Sequence, residues 1–221
     1  MSFFTAEKKT HATLLALGVA FLALGAFIRI TQELLENEVD AIDRTILVRV
    51  VAARTPWLNG VMLDITSLGS ATLVVLFSIL AVAVFASLRK WRSALQVCAA
   101  TVVGALWTMI AKSSIERARP PSYLRLTEAA GYSYPSGHAT ASAALYLTVA
   151  LLICRYVPAR RARFGVIAGA VVLILLVAFS RVYLGVHYPS DVISGICVGV
   201  ASALLVDLCA LSIGDNSRPH G

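Results

Sequence analysis

The sequence predicts an all-α, polytopic membrane protein: six transmembrane helices in one bundle, with an interfacial amphipathic helix between the first two. Three observations carry this. Of the 221 residues, 58% are hydrophobic and 14% charged, with mean hydropathy +0.80. Soluble domains carry about 25% charged residues, so too little polar surface exists here to coat a water-soluble globule. The apolar residues gather in six runs, each near the ~20 residues that cross a hydrocarbon core of about 30 Å. Those runs lack the two-residue alternation of strands, whose unpaired backbone groups lipid would leave unsatisfied. An ordinary cytosolic enzyme, a disordered chain and a secreted disulfide scaffold are thereby excluded, and the length fits one membrane-embedded domain over residues 1–221.

The first run, Ala12–Ile28, follows Lys8 and Lys9, the charged flank that a signal peptide would also have. Five further runs make cleavage unnecessary, and a retained helix is expected. In the segment Thr31–Thr55, Leu35, Val39, Ile42, Ile46 and Val50 recur at helical spacing, with Glu36, Asp40, Asp43 and Arg44 between them. This suits an amphipathic helix along the membrane interface, either as a plain connector or as a lateral guard of a lipid entrance. Trp57 belongs at the same interface and Trp91 at the opposite one. The remaining spans are Ser67–Leu88, Ser93–Ala111, His138–Cys154, Phe164–Ser180 and Val192–Ile213, of which only the last holds a charge, Asp207. Cys98, Cys154, Cys197 and Cys209 fall within spans and read as small buried apolar residues. The pairs Gly165/Gly169 and Gly195/Gly199 permit close helix contacts, intramolecular by default.

The net charge of +7 raises the question of which side each cation faces. The short turns Arg89–Arg92 and Arg155–Arg163 are dense in cations, and short loops set orientation most strongly. Both termini are therefore expected in the cytoplasm. The segments Lys112–Pro120, Tyr134–His138 and Ser180–Asp191 then emerge together on the outer face, because odd numbers of crossings separate them from the cytoplasmic turns.

Lys112, Arg119 and Arg181 each stand where a helix meets water. Alone, each serves equally well as a snorkelling anchor; three in one pocket repel one another unless an anion sits among them, and guanidinium forks match phosphate oxygens. Ser136-Gly137-His138 opens a helix, where free N–H groups attract an oxyanion and glycine lets it approach. The serine is either a helix cap or a phosphate donor. His187 and Asp191, four residues apart around Tyr188-Pro189, form a nucleophile-like pair: the carboxylate fixes one imidazole nitrogen and frees the other. A structural histidine beside a helix-start aspartate is the plainer reading. No metal-ligand spacing occurs, and a cationic pocket repels divalent ions, so neither a metal nor another cofactor is expected.

Together these segments resemble the type-2 phosphatidic acid phosphatase family, whose three-part signature reads K-x6-RP, PSGH and SR-x5-H-x3-D. All three parts are complete: Lys112, Arg119 and Pro120; Pro135 through His138; Ser180, Arg181, His187 and Asp191. The resemblance implies that Lys112, Arg119, Ser136, Gly137 and Arg181 bind phosphate. It also implies that His187 attacks phosphorus to form a phosphohistidine, that Asp191 orients it, and that His138 protonates the leaving group and then activates water. The two histidines would start in opposite protonation states, so activity would fall on both sides of a pH optimum.

A site at helix ends, with apolar surface beneath, suits a phosphate on a lipid tail. Phosphatidylglycerophosphate, phosphatidic acid, lipid A phosphates and undecaprenyl diphosphate are the substrates this resemblance implies. The partners expected are that lipid and the bilayer, with no nucleic acid and no obligate protein partner. A bacterial inner membrane is the expected location, with the site facing the periplasm. Two other readings stay open: a lipid phosphotransferase using the same phosphohistidine, and a non-catalytic lipid-phosphate carrier. The related soluble vanadium haloperoxidases share the pocket type, but the six spans argue against them.

Overall fold

The computed structural model describes residues 2–215, with side chains for residues 10–212. Its order is α1 (Ser2–Leu35), α2 (Asp40–Ala52), α3 (Pro56–Ser67), α4 (Ala71–Ser87), α5 (Trp91–Ile115), a 3-10 turn (Ser122–Leu124), α6 (Gly137–Cys154), α7 (Arg160–Tyr183) and α8 (Pro189–Asp215). No strand occurs among the described residues. The side chains of Lys8, Lys9 and Ile213 lie outside the described residues. Helices α1, α5, α6, α7 and α8 are long and apolar enough to cross a membrane; α3 and α4 add a sixth span only as one unit bent by 48°.

That bend refines the expected span Ser67–Leu88, because the helix already starts at Pro56. Thr55 caps α3 by accepting from the Leu58 N–H, and Ser70 caps α4 by accepting from the Leu73 N–H. Two capping residues this close specify two helices instead of one. The Leu68 carbonyl at the break accepts from the Tyr146 hydroxyl at 2.6 Å.

Helices α6 and α8 form the buried centre, flanked by α1 on α8, by α5 on both, and by α7 on α6. Their contact depends on Gly195 and Gly199. A Cβ at Gly199 would lie 2.5 Å from the Ala143 Cβ and from the Thr140 carbonyl oxygen, and one at Gly195 would lie 2.6 Å from the Ser136 carbonyl oxygen. This close approach sets the N-terminus of α6 beside that of α8, and both carry site residues. Gly165 and Gly169 meet nothing, so the second glycine pair makes no such contact.

Outer faces carry exposed apolar side chains such as Leu22 at 75% and Leu95 at 68%, the pattern of an integral membrane protein whose helix exteriors face lipid. The same fact corrects the expectation for the cysteines. Cys98 and Cys209 are exposed, and Cys154 and Cys197 are half-buried, because an apolar side chain facing lipid gains nothing from burial. Asp207, the charge within the last span, accepts from Gln96 Nε2 at 3.1 Å and pairs with Arg155 at 2.5 Å. Arg155, read as an orientation signal, therefore also neutralises a membrane-embedded acid.

Segment α2 is helical, but its bundle-facing side differs from the expected apolar stripe. Leu35, Ile42 and Ile46 are exposed, Val39 and Val50 are partly buried, and the fully buried residues are Asp43 and Leu47. The helix docks on α7 and α8, held by a buried carboxylate as well as by apolar packing.

Candidate active site

The C-terminal end of α5, the N-terminus of α6 and the α7–α8 connection meet at one end of the bundle. Helix α5 stops at Glu116, whose φ of 50° is left-handed. The chain from there to Pro135 folds over the site: the Ser133 N–H donates to the Arg117 carbonyl at 2.8 Å, and the Leu126 N–H to the Leu184 carbonyl at 2.9 Å. Lys112, in the last turn of α5, donates to the Tyr132 carbonyl. Arg119 donates to the carbonyls of Val186 (2.8 Å), Gly131 (2.9 Å) and Ala130 (2.9 Å). Arg181, 6% exposed, donates to the Thr66 hydroxyl of α3 at 2.7 Å. The bonded partners of these three cations are neutral.

Helix α6 adds backbone donors to this cluster. Ser136 occupies its N-cap, yet its hydroxyl caps nothing: it is buried and makes no hydrogen bond within the chain, as is also true of Arg181 Nε. Of the two readings left open for Ser136, the structure rules out the cap. The N-terminus of α8 is occupied by contrast. The Asp191 carboxylate, at its third position, accepts from the Tyr188 N–H at 2.9 Å, and Asp43 Oδ1 of α2 accepts from the Ser190 N–H at 3.0 Å. Because Pro189 has no N–H, these satisfy two of the three orphan donors at this helix start. At the start of α6, among the described residues, no carboxylate caps the helix.

His187 is 2% exposed and lies between the two termini. Its Nε2 stands 3.1 Å from Arg119 Nη1, and a guanidinium has only donors, so Nε2 must be the acceptor. Nδ1 then carries the proton, 3.4 Å from Asp191 Oδ2. Burial pushes the His187 pKa down to about 4, with the Asp191 carboxylate opposing. The ring is thus neutral near pH 7, with its free lone pair directed at the Arg119 guanidinium. His138, in the first turn of α6, has Arg181, His187, Arg119 and Lys112 as its electrostatic neighbours. All eight residues singled out from the sequence therefore gather at this end: Lys112, Arg119, Ser136, Gly137, His138, Arg181, His187 and Asp191.

Three further residues escaped the sequence reading. Ser133 donates to Asp191 Oδ2 at 2.5 Å. Arg117 donates to Asp191 Oδ1 (2.7 Å), Ser190 Oγ (2.7 Å), Asp43 Oδ2 (2.8 Å) and Asp40 Oδ1 (2.9 Å). Asp43, 2% exposed, completes the cluster by also accepting from the Ser190 hydroxyl. Burial works against the Arg117 charge, but Asp191 and Asp43 outweigh it and raise its pKa. The available signals were Arg117 two residues before Arg119, and Asp40 and Asp43 at i, i+3 on one helical face; neither identifies a partner by itself.

Comparison with known proteins agrees with the geometry. The model of the PAP2 superfamily matches residues 93–212. A phosphatidylglycerophosphatase B of Bacillus subtilis is 35% identical over 176 residues, 77% of this chain and 84% of that protein. A lipid A 1-phosphatase of Rhizobium etli is 36% identical over 113 residues, 47% of this chain and 44% of its own length. The crystal structure of a transmembrane PAP2-type phosphatidylglycerolphosphate phosphatase from Bacillus subtilis superposes with a TM-score of 0.81 at 27% identity, covering 91% of this chain and 98% of that one. With the helical bundle and the matched span, these relatives show that the chain belongs to the PAP2 superfamily and is an integral membrane phosphoric ester hydrolase.

Proposed function

We propose that the protein hydrolyses a lipid phosphate monoester or diphosphate, without a metal ion, through a phosphohistidine at the outer membrane–water interface. The observation that carries this reading is the 3.1 Å contact between Arg119 Nη1 and His187 Nε2, which puts a phosphate-binding donor next to a lone pair able to attack phosphorus. Lys112, Arg119 and Arg181 hold the non-bridging oxygens, with Ser136 and the Gly137 N–H beneath them. Such fixed donors stabilise the charge that builds on those oxygens in the transition state.

His187 Nε2 forms the N–P bond as the P–O bond to the lipid breaks, and the departing oxygen takes the proton of the His138 imidazolium. A dianionic phosphate nearby favours that protonated form. Neutral His138 then removes a proton from water, whose oxygen attacks phosphorus; the N–P bond breaks and inorganic phosphate leaves. The imidazole of His187 is restored, and His138 holds the proton taken from water until the phosphate leaves. Asp191 holds Nδ1–H and balances the positive charge on the ring of the intermediate.

The lipid is one whose phosphate lies at headgroup depth, and phosphatidylglycerophosphate, phosphatidic acid and undecaprenyl diphosphate fit. We place the whole chain as one unit in a bacterial inner membrane, with six spans, α2 along the interface, cytoplasmic termini and the site facing the periplasm. Purified protein offered these three lipids with chelator throughout is expected to release inorganic phosphate at an undiminished rate from at least one of them. Strong inhibition by chelator would overturn the metal-free mechanism, and no release from any lipid would overturn the hydrolase reading.

The pH profile has a definite sign. His187 reacts as the neutral ring, so kcat/KM is expected to decline on acidification as pH falls towards about 4, where the ring takes up a proton. A profile whose acid limb lies well above neutrality would contradict a buried, neutral nucleophile.

A further inference from the structure

We propose that Arg117 and Asp43 are positioning residues for His187, holding the Asp191 carboxylate and the first turn of α8 in the orientation that aims the imidazole. The proposal rests on the reading of His187 as nucleophile. It also gives α2 a function: the helix braces the catalytic pair from behind.

Four cations surround the pocket, and their partners divide them into two kinds. Lys112, Arg119 and Arg181 bond to neutral oxygens. Arg117 pairs instead with three carboxylates, those of Asp40, Asp43 and Asp191, at 2.7–2.9 Å. Its guanidinium lies 4.3 Å from the Tyr188 ring centroid, and the side chain is 8% exposed. Both terminal nitrogens are engaged and the charge is more than matched by carboxylates, which sets Arg117 apart from the three cations that bond neutral partners.

Its effect passes through Asp191, whose two oxygens are divided. Oδ2 serves Ser133, the Tyr188 N–H and the His187 Nδ1 side; Oδ1 serves Arg117. The Asp191 side chain is 0% exposed, so no water would replace a lost donor at Oδ1. Without Arg117, a buried carboxylate would have to turn towards another donor or take up a proton, and either change releases the imidazole. Asp43 fixes the other end of this support. It orients Arg117 and holds the N–H and hydroxyl of Ser190, the residue adjoining Asp191 in the first turn of α8.

The test uses purified full-length protein with a short-chain phosphatidic acid in mixed micelles, comparing Arg117→Gln, Arg117→Lys, Asp43→Asn, the Arg117→Gln/Asp43→Asn double variant and His187→Asn. A displacement of reacting atoms by about 1 Å costs on the order of 10²-fold. Arg117→Gln is expected to lower kcat by about that factor while KM stays within about twofold, since no phosphate contact is lost. Its acid limb should move to higher pH. Around His187 stand Lys112, Arg119, Arg181, His138 and Asp191, with Asp40 and Asp43 behind Arg117; deleting the Arg117 charge leaves those carboxylates uncompensated and favours a protonated ring. Arg117→Lys should recover part of kcat. Asp43→Asn, nearly the same shape, should also lower kcat, and the double variant should lose little more than Arg117→Gln alone.

A rise in KM with kcat unchanged would overturn the proposal by placing Arg117 among the phosphate ligands. So would an unchanged kcat and pH profile in a variant with unaltered thermal midpoint, or activity losses that follow the thermal midpoint across all variants with no pH shift. If Arg117→Gln does not fold, Asp43→Asn and Arg117→Lys decide by the same readouts. His187→Asn separates the two levels: if it keeps turnover, the nucleophile reading fails; if it is inactive while the Arg117 and Asp43 variants match the parent, only the positioning proposal fails.

Discussion

His187→Asn is expected to leave a folded protein whose turnover is lower by at least about 10⁴-fold, the scale on which a removed nucleophile is felt. The asparagine amide nitrogen falls near the position of Nδ1 and can still donate towards Asp191 Oδ2, which Nδ1 faces at 3.4 Å. What disappears is Nε2, the atom 3.1 Å from Arg119. The substitution therefore deletes the attacking lone pair and leaves the carboxylate side in place. His187→Ala would delete both and leave an unfilled volume at a position only 2% exposed, so its loss of activity would mix chemistry with repacking. Thermal unfolding in detergent checks the fold, and phosphate release checks the chemistry. Parent-like turnover in folded His187→Asn protein would remove the phosphohistidine from the mechanism.

Gly185→Ala should produce the largest loss of stability among single changes near the site. Gly185 has φ of +74°, and a Cβ there would lie 2.1 Å from the Leu124 carbonyl oxygen and 2.8 Å from Arg54 Nη2. The left-handed conformation costs an alanine about 1 kcal/mol, and the contact with a backbone oxygen adds a displacement that no rotamer relieves. The segment cannot yield easily, because Arg54 bonds the carbonyls of Leu124 and Tyr183 and ties the two strands of chain together. Destabilisation of several kcal/mol is expected, with activity down by roughly 10²-fold because His187 lies two residues on. Gly131→Ala provides the comparison. Its φ of +68° is similar, but no atom lies within 4 Å of the added Cβ, so the thermal midpoint should fall only by the conformational cost. Equal losses in the two variants would show that the contact with Leu124 is not what demands glycine.

These two glycines illustrate how much was legible in the sequence. Gly131 stands between α5 and α6 and Gly185 between α7 and α8, and neither neighbourhood shows which one lacks room for a side chain; the difference is a carbonyl 61 residues away from Gly185 along the chain, at Leu124. The same limit applies to Arg117 and Asp43. Arg117 looked like one more cation beside Arg119, and Asp43 like the polar side of an amphipathic segment. Their roles exist only because α2 docks on α8, 147 residues away for the Asp43–Ser190 contact. Amphipathic spacing located the helix itself, but it ranked apolar faces and so missed that the bundle-facing side centres on a carboxylate.

The sequence by itself determined the class of the molecule and named eight residues that the fold brings to one end of the bundle. Composition demanded helices in lipid because backbone groups there must be satisfied within each segment, and the alternation of spans brought three polar segments to one end. Only the tertiary structure decided which donors are left for an oxyanion. The Ser136 hydroxyl makes no cap, two N–H groups at the start of α8 are held by carboxylates, and three cations meet neutral partners while a fourth is neutralised by carboxylates. The physical reason is that a charge acts according to what balances it across a few ångströms, and for Arg117 the balancing groups come from Asp40 and Asp43 on α2 and from Asp191 on α8.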